Sequence, residues 1–212
     1  VKNIKGDMKM EAGLWSILGT GLLIGLRHSL DADHVVAVST IATRTKNPLK
    51  AGITGVFLGL GHTFTILLIG AIVLLFGLGI PAQLDQYFEW IVAVILIYLG
   101  IRTVLDAKSE TAATKEISLQ QYNFRSFVVG LVHGLAGSAA LTILMVSQVT
   151  HIGQGVLFLL LFGIGSIFGM FIIAMILSFP FRVAKTAKLQ QMILYGIGAL
   201  SIGFGVALLI LT

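Results

Sequence analysis

Six runs of apolar residues constrain this chain more than anything else in it: residues 14–41, 51–76, 88–105, 127–149, 156–179 and 192–211. Each is long enough to cross about 30 Å of hydrocarbon as a helix. Helices satisfy their own backbone without water, so a chain written this way reads as all-α and polytopic. Of its 212 residues, 57% are hydrophobic and only 11% charged, where a soluble domain carries about a quarter. Cysteine is absent, which excludes disulfides, thiolate ligands and a cysteine nucleophile. A metal site here must use His, Asp, Glu, amide or backbone groups.

The net charge of +5 is not a nucleic-acid signature, because the basic residues sit in the connections between apolar runs. Arg44, Lys46 and Lys50 follow the first run. Arg102, Lys108, Lys115 and Arg125 flank the third connection, and Arg182, Lys185 and Lys188 the fifth. The alternate connections, 78–87 and 150–154, hold no Lys or Arg. By the positive-inside rule the basic side is cytoplasmic and both termini lie outside, in the cytoplasmic (inner) membrane. Lys2, Lys5 and Lys9 oppose this, partly offset by Asp7 and Glu11, but the ten on the other side outweigh them. Residues 2–11 read as an external tail rather than a removable signal peptide, since no small-residue cleavage pattern follows. Trp15, Tyr87 and Trp90 suit interfacial anchoring.

The chain also resembles itself. GLLIGLRHSLDADHVVAVST aligns with FVVGLVHGLAGSAALTILM when Gly25, Leu26 and His28 are laid on Gly130, Leu131 and His133. FLGLGHTFTI aligns with LFGIGSIFGM, with Gly59 and Gly61 over Gly163 and Gly165. The two offsets, 105 and 104 residues, are nearly equal. Three crossings per repeat is an odd number, so the halves point in opposite directions, as in inverted-repeat transporters that bind substrate near the midplane. The expected organisation is an external tail and first three-helix repeat over 1–105, a cytoplasmic linker over 106–124, and a second three-helix repeat over 125–212.

One stretch breaks the apolar pattern. GLRHSLDADHVVAV, residues 25–38, places Arg27, His28, Asp31, Asp33 and His34 inside the first run. Ionisable groups at that depth line a cavity, meet a partner or bind an ion. On an ideal helix His28, Asp31 and His34 share an arc of about 120° while Asp33 points away. If all four contribute, the helix must unwind or Asp33 must serve a neighbouring helix or support another ligand, and Gly21 and Gly25 upstream ease close packing there. Imidazole with carboxylate and no thiolate suits borderline divalent ions such as nickel, cobalt, copper or zinc. A carboxylate can also orient a ligating imidazole through its other nitrogen, which leaves the separate roles of Asp31 and Asp33 open. The competing reading is an intramembrane His/Asp network with Arg27 that serves structure or proton relay. His62, inside the second run beside Thr63 and Thr65, is a further candidate ligand, and so is His133, the repeat mate of His28. The second repeat has no counterpart of Asp31, Asp33 or His34, so the expected site is asymmetric. His151, Asp85 and Glu89 near the external connections read as surface groups with at most a role in attracting cations.

The stretch from His28 through Asp33 and His34 resembles the H-x4-D-H signature of the nickel/cobalt transporter superfamily, and Gly61-His62-Thr63 resembles its adjacent histidine motif. The six-segment length and the stretch from Gly130 to Ala140 are similar to the small urease-accessory permease branch of that superfamily. The resemblance covers nearly the whole membrane domain. It implies transition-metal permeation, with His28, Asp33, His34 and His62 in the pathway and nickel supply to urease or hydrogenase as the context. Larger relatives carry an acidic motif in the later half, where this chain reads HGLAGSAA.

The function expected is therefore a secondary transporter, not an enzyme, that imports Ni2+, with Co2+ as second candidate, through an intramembrane His/Asp site. Its partners are the ion, membrane lipid and cytoplasmic nickel-handling proteins. No Walker A pattern occurs, so ATP hydrolysis is not expected of this chain. The alternatives are a metal exporter on the same scaffold, an anion carrier of sulfite type using Arg27 and protonated histidines, and a non-transporting membrane metal-binding partner.

Overall fold

The structure is a computed structural model and describes residues 19–42, 47–77, 81–108, 119–136 and 152–212. The polar tail, Trp15, Arg44, Lys46, Lys115, the mates of Asp33 and His34 after residue 136, and His151 lie outside the described residues. Among the described residues there are seven helices and no strand. Residues 19–28 form α1. The others are α2 Ala32–Ala42, α3 Pro48–Phe76, α4 Ala82–Lys108, α5 Leu119–His133, α6 Ile152–Val183 and α7 Ala187–Leu211. Four of them (α3, α4, α6 and α7) are long and apolar enough to cross a membrane.

The helices extend beyond the apolar runs because polar residues start and stop them. Asn47 accepts hydrogen bonds from the amides of Leu49 (3.0 Å) and Lys50 (3.3 Å), and Pro48 occupies the first turn, so α3 begins ahead of residue 51. Thr186 accepts from the Leu189 amide in the same way and starts α7 ahead of residue 192. At the other end of α3, Gly77 takes the left-handed conformation (φ 63°) that closes a helix. Helix α4 runs to Lys108 and α5 starts at Leu119, so helix covers parts of 78–87 and 106–124, both expected as connections. The first run is divided at residues 29–31 into α1 and α2.

Helices α3 and α6 pack against each other along their length. Helix α1 lies against α6, α5 against α3, and α4 pairs with α7. The short helix α2 touches both the α3–α6 pair and the α4–α7 pair. Lipid tails are as apolar as leucine, so close backbone approach and interhelical hydrogen bonds hold such a bundle. A Cβ at Gly25 would strike the Phe162 carbonyl, and one at Gly130 the Leu58 carbonyl. Conversely, Gly165 is seated on the Leu22 carbonyl and Gly61 on that of Phe127. These contacts keep the spacing of the sequence repeat, as do those of the outer pair. A Cβ at Gly100 would lie 2.7 Å from the Gly198 carbonyl, and one at Gly205 lies 2.7 Å from that of Ala93. Hydroxyls add to the adhesion: Ser166 donates to the Gly25 carbonyl (3.1 Å), Thr65 to Leu131 (2.8 Å), Thr63 to Gly163 (3.3 Å) and Ser201 to Leu96 (2.7 Å).

Large apolar side chains such as Leu60, Phe64, Ile164, Phe168, Leu200 and Ile210 point outward, while Ser166, Ser178, His34, His62 and His133 are buried. In water that exposed surface would be an interaction or aggregation site, whereas in a bilayer it meets its solvent. The side chain of Gln86 bonds the carbonyl of Thr212, which puts the end of the chain on the same face as the start of α4. Nearby, Tyr87 and Trp90 meet edge to face at 5.6 Å, both exposed, as an interfacial pair would be.

Candidate metal centre

The break in the first run builds the site. After His28 the chain tightens: the Ser29 amide bonds the Gly25 carbonyl (3.2 Å), Leu30 bonds Arg27 (2.9 Å) and Asp31 bonds His28 (3.0 Å). The Asp31 carbonyl then accepts from the Val35 amide (3.0 Å) and opens α2. Asp33 falls in the first turn of α2, where the helix dipole favours a negative charge. This turn removes the constraint that an unbroken helix would impose on Asp33. Its carboxylate now lies 2.9 Å from Nδ1 of His34, while that of Asp31 lies 2.7 Å from Nδ1 of His28.

Three imidazoles converge. The ring centroids of His28 and His34 are 4.6 Å apart, those of His34 and His62 4.7 Å, and those of His28 and His62 5.2 Å. One nitrogen from each of the three lies within 4.8 Å of the others. A metal–nitrogen bond of about 2.0–2.1 Å sets nitrogens roughly 3–4 Å apart, so small ring rotations close the set on an ion. His62 comes from the middle of α3, which places the cluster far from either end of a 29-residue helix. His34 is 1% and His62 0% exposed. Phe162 of α6, fully buried, packs against the His28 ring at 5.2 Å and walls that side.

The hydrogen bonds decide where the lone pairs are. A carboxylate only accepts, so His28 and His34 donate through Nδ1 and carry their lone pairs on Nε2. The 3.4 Å contact between His34 Nε2 and His62 Nδ1 then has His62 as donor, which leaves the His62 lone pair on Nε2 as well. The Nε2 atoms of His28 and His62 are buried without a hydrogen-bond partner. Buried lone pairs left unpaired are costly, and a divalent cation is one kind of partner that imidazole nitrogens accept. Three imidazoles, two with a carboxylate at Nδ1, are the kind of group that could hold a borderline transition metal.

Of the residues singled out in the sequence, His28, His34 and His62 are brought together, and Asp31 and Asp33 hold two of their rings. His133 is fully buried and its ring lies 5.6 Å from that of His34, outside the three-nitrogen group. Arg27 is exposed. Thr63 and Thr65 bond backbone carbonyls of neighbouring helices. Sequence reasoning missed Phe162, since one phenylalanine in an apolar run carries no signal. It also missed Ser166, which the alignment of His62 with its repeat mate would have singled out.

The chain is 32% identical over 208 residues to the urease accessory protein UreH of Bacillus sp. strain TB-90, covering 92% of this chain and 91% of that one. It is 31% identical over 77 residues to the high-affinity nickel transport protein of Cupriavidus necator, covering 34% of this chain and 22% of the other. A third similarity is to the chloroplast protein FOR GROWTH AND FERTILITY 2 of Arabidopsis thaliana, 24% identical over 209 residues, with 90% and 55% covered. No family model and no solved structure matches the chain.

Proposed function

We propose that this chain, which belongs to the UreH-like branch of the nickel/cobalt transporter superfamily, imports Ni2+ across the cytoplasmic membrane through the three-histidine site. The observation that carries this reading is the convergence of His28, His34 and His62, buried, with one nitrogen of each within 4.8 Å of the others. The names of the two bacterial relatives, one a nickel transport protein and one a urease accessory protein, support nickel as the cargo and a cytoplasmic nickel-handling protein as its recipient. Co2+ shares the ligand chemistry and is the second cargo.

Each residue has a task. Asp31 and Asp33 fix the tautomers of His28 and His34 and offset the charge of the entering ion. His62 supplies the third nitrogen from α3, and Phe162 keeps bulk water from the His28 side. An inside-negative potential drives a divalent ion inward by about 4.6 kcal/mol per 100 mV, twice the value for one charge. Movement across the site is assigned to two inverted three-helix repeats, the first ending near residue 105 and the second starting near residue 125. The paired glycine seats of Gly25 with Gly130 and Gly61 with Gly165 support that reading. The Gln86–Thr212 bond supports placing the end of the chain on the side of the connection before α4, which the charge bias makes external. The exposure of Arg27 disfavours an anion site built around it.

The test is metal flux into liposomes holding the purified protein, across Ni2+, Co2+, Zn2+ and Mn2+, with His28→Ala as control. Ni2+ and Co2+ flux that the substitution abolishes is expected. Protein-dependent anion flux that ignores the substitution overturns the proposal.

A further inference from the structure

His133 does not belong to the three-nitrogen group, yet it is equipped as a ligand. It is fully buried, its Nδ1 lies 3.3 Å from the Val129 carbonyl, and its Nε2 has no hydrogen-bond partner. A carbonyl only accepts, so Nδ1 carries the proton and Nε2 holds a lone pair inside the protein. Its ring meets that of His34 at 5.6 Å with the planes at 72°. The His34 ring thus lies against the rings of His28, His62 and His133 alike.

The backbone around His133 repeats that around His28. Helix α1 ends at His28 with Ser29 bonded to Gly25 and Leu30 to Arg27. Helix α5 ends at His133 with Gly134 bonded to Gly130 (2.9 Å) and Leu135 to Val132 (3.0 Å), each pair displaced by 105 residues. What differs is the support. Three residues beyond His28 stands Asp31, and three beyond His133 stands Ala136, so no carboxylate braces this imidazole from its own turn. An imidazole without that brace is a weaker, less fixed ligand.

We propose that His133 takes the ion over from His28, with His34 common to both positions. The ion is held first by His28, His34 and His62. As it moves it exchanges the imidazole at the end of α1, held by a carboxylate, for the one at the end of α5, held by a neutral backbone carbonyl. A neutral carbonyl in place of a carboxylate makes the second position the weaker one, which suits release. This rests on the proposed nickel transport by the three-histidine site and names the next ligand on its path.

The experiment separates binding from movement. Ni2+ binding to purified protein in detergent and Ni2+ flux in liposomes are measured for wild type, His28→Ala, His133→Ala and the more conservative His133→Gln. Both His133 variants are expected to hold Ni2+ within about threefold of wild type while flux drops by about tenfold or more. His28→Ala is expected to lose about 100-fold in binding, the upper end of what losing a support to a metal site costs. Wild-type flux in His133→Gln, or binding lost as severely as in His28→Ala, overturns the proposal. Because substitutions in a buried site can unfold it, X-ray absorption of Co2+ bound to the wild type gives an independent count. Three imidazole ligands are expected in the resting state, and four would make His133 part of the same site. Failure of the wild type to bind or move Ni2+ overturns the transport reading itself, which sets that outcome apart from failure of the hand-over alone.

Discussion

The ends of α1 and α5 share a backbone and differ in chemistry. Both close on a histidine with the same pair of turn hydrogen bonds, and both helices are seated by a glycine on a partner's carbonyl. Beyond His28 come Asp31, Asp33 and His34, whereas beyond His133 come Gly134, Leu135 and Ala136. Backbone geometry in this bundle is therefore set by small residues and turn bonds, and ligand chemistry is laid over it without altering the frame.

That comparison can be broken at several points. Replacing His34 with Ala should have the largest effect, since this ring touches three others. Ni2+ flux in liposomes should vanish, and retention of even a tenth of the wild-type rate would show the cluster is not the path. Next come Gly25→Val and Gly130→Val. Each drives a side chain into a backbone carbonyl, and overpacking of this kind costs about 1–3 kcal/mol or more. Thermal unfolding in detergent should show the two nearly equal, and a large inequality would break the likeness of the two frames.

Smaller effects test the difference in chemistry. Asp31→Asn and Asp33→Asn each remove the charge behind an imidazole, and Ni2+ affinity measured by titration should fall by about 10–100-fold. Ala136→Asp supplies the missing carboxylate beside His133 and should tighten Ni2+ retention while slowing its release. Unchanged release kinetics would mean that the absent brace has no consequence. The smallest change is expected for Ser201→Ala, which removes only the bond to the Leu96 carbonyl. Interhelical bonds of this kind are worth about 0.6 kcal/mol, a slight shift in the unfolding midpoint.

Much of the fold was legible because a bilayer leaves so few options. The apolar runs marked the long helices, and their ends were misjudged where helix extends into polar sequence, as at Asn47, Pro48 and Thr186 and at the ends of α4 and the start of α5. Unwinding was one of two ways for the groups between His28 and His34 to act together, and the chain turns there. The pairing of Asp33 with His34 was not legible, because an ideal helix turns Asp33 away and only the turn after His28 frees it. Nor could spacing reveal that both carboxylates stand behind imidazoles, or that Phe162, more than a hundred residues away, packs against His28. Local pattern fixes which residues are unusual, whereas the partner of each depends on how the helices meet.

The measurement closest to the central claim is equilibrium Ni2+ binding to the purified protein, wild type against a His34→Ala/His62→Ala pair. Three converging imidazoles predict about one Ni2+ per chain for the wild type and about 100-fold weaker binding or none for the pair. Equal binding by the two proteins, or none by either, would contradict the account.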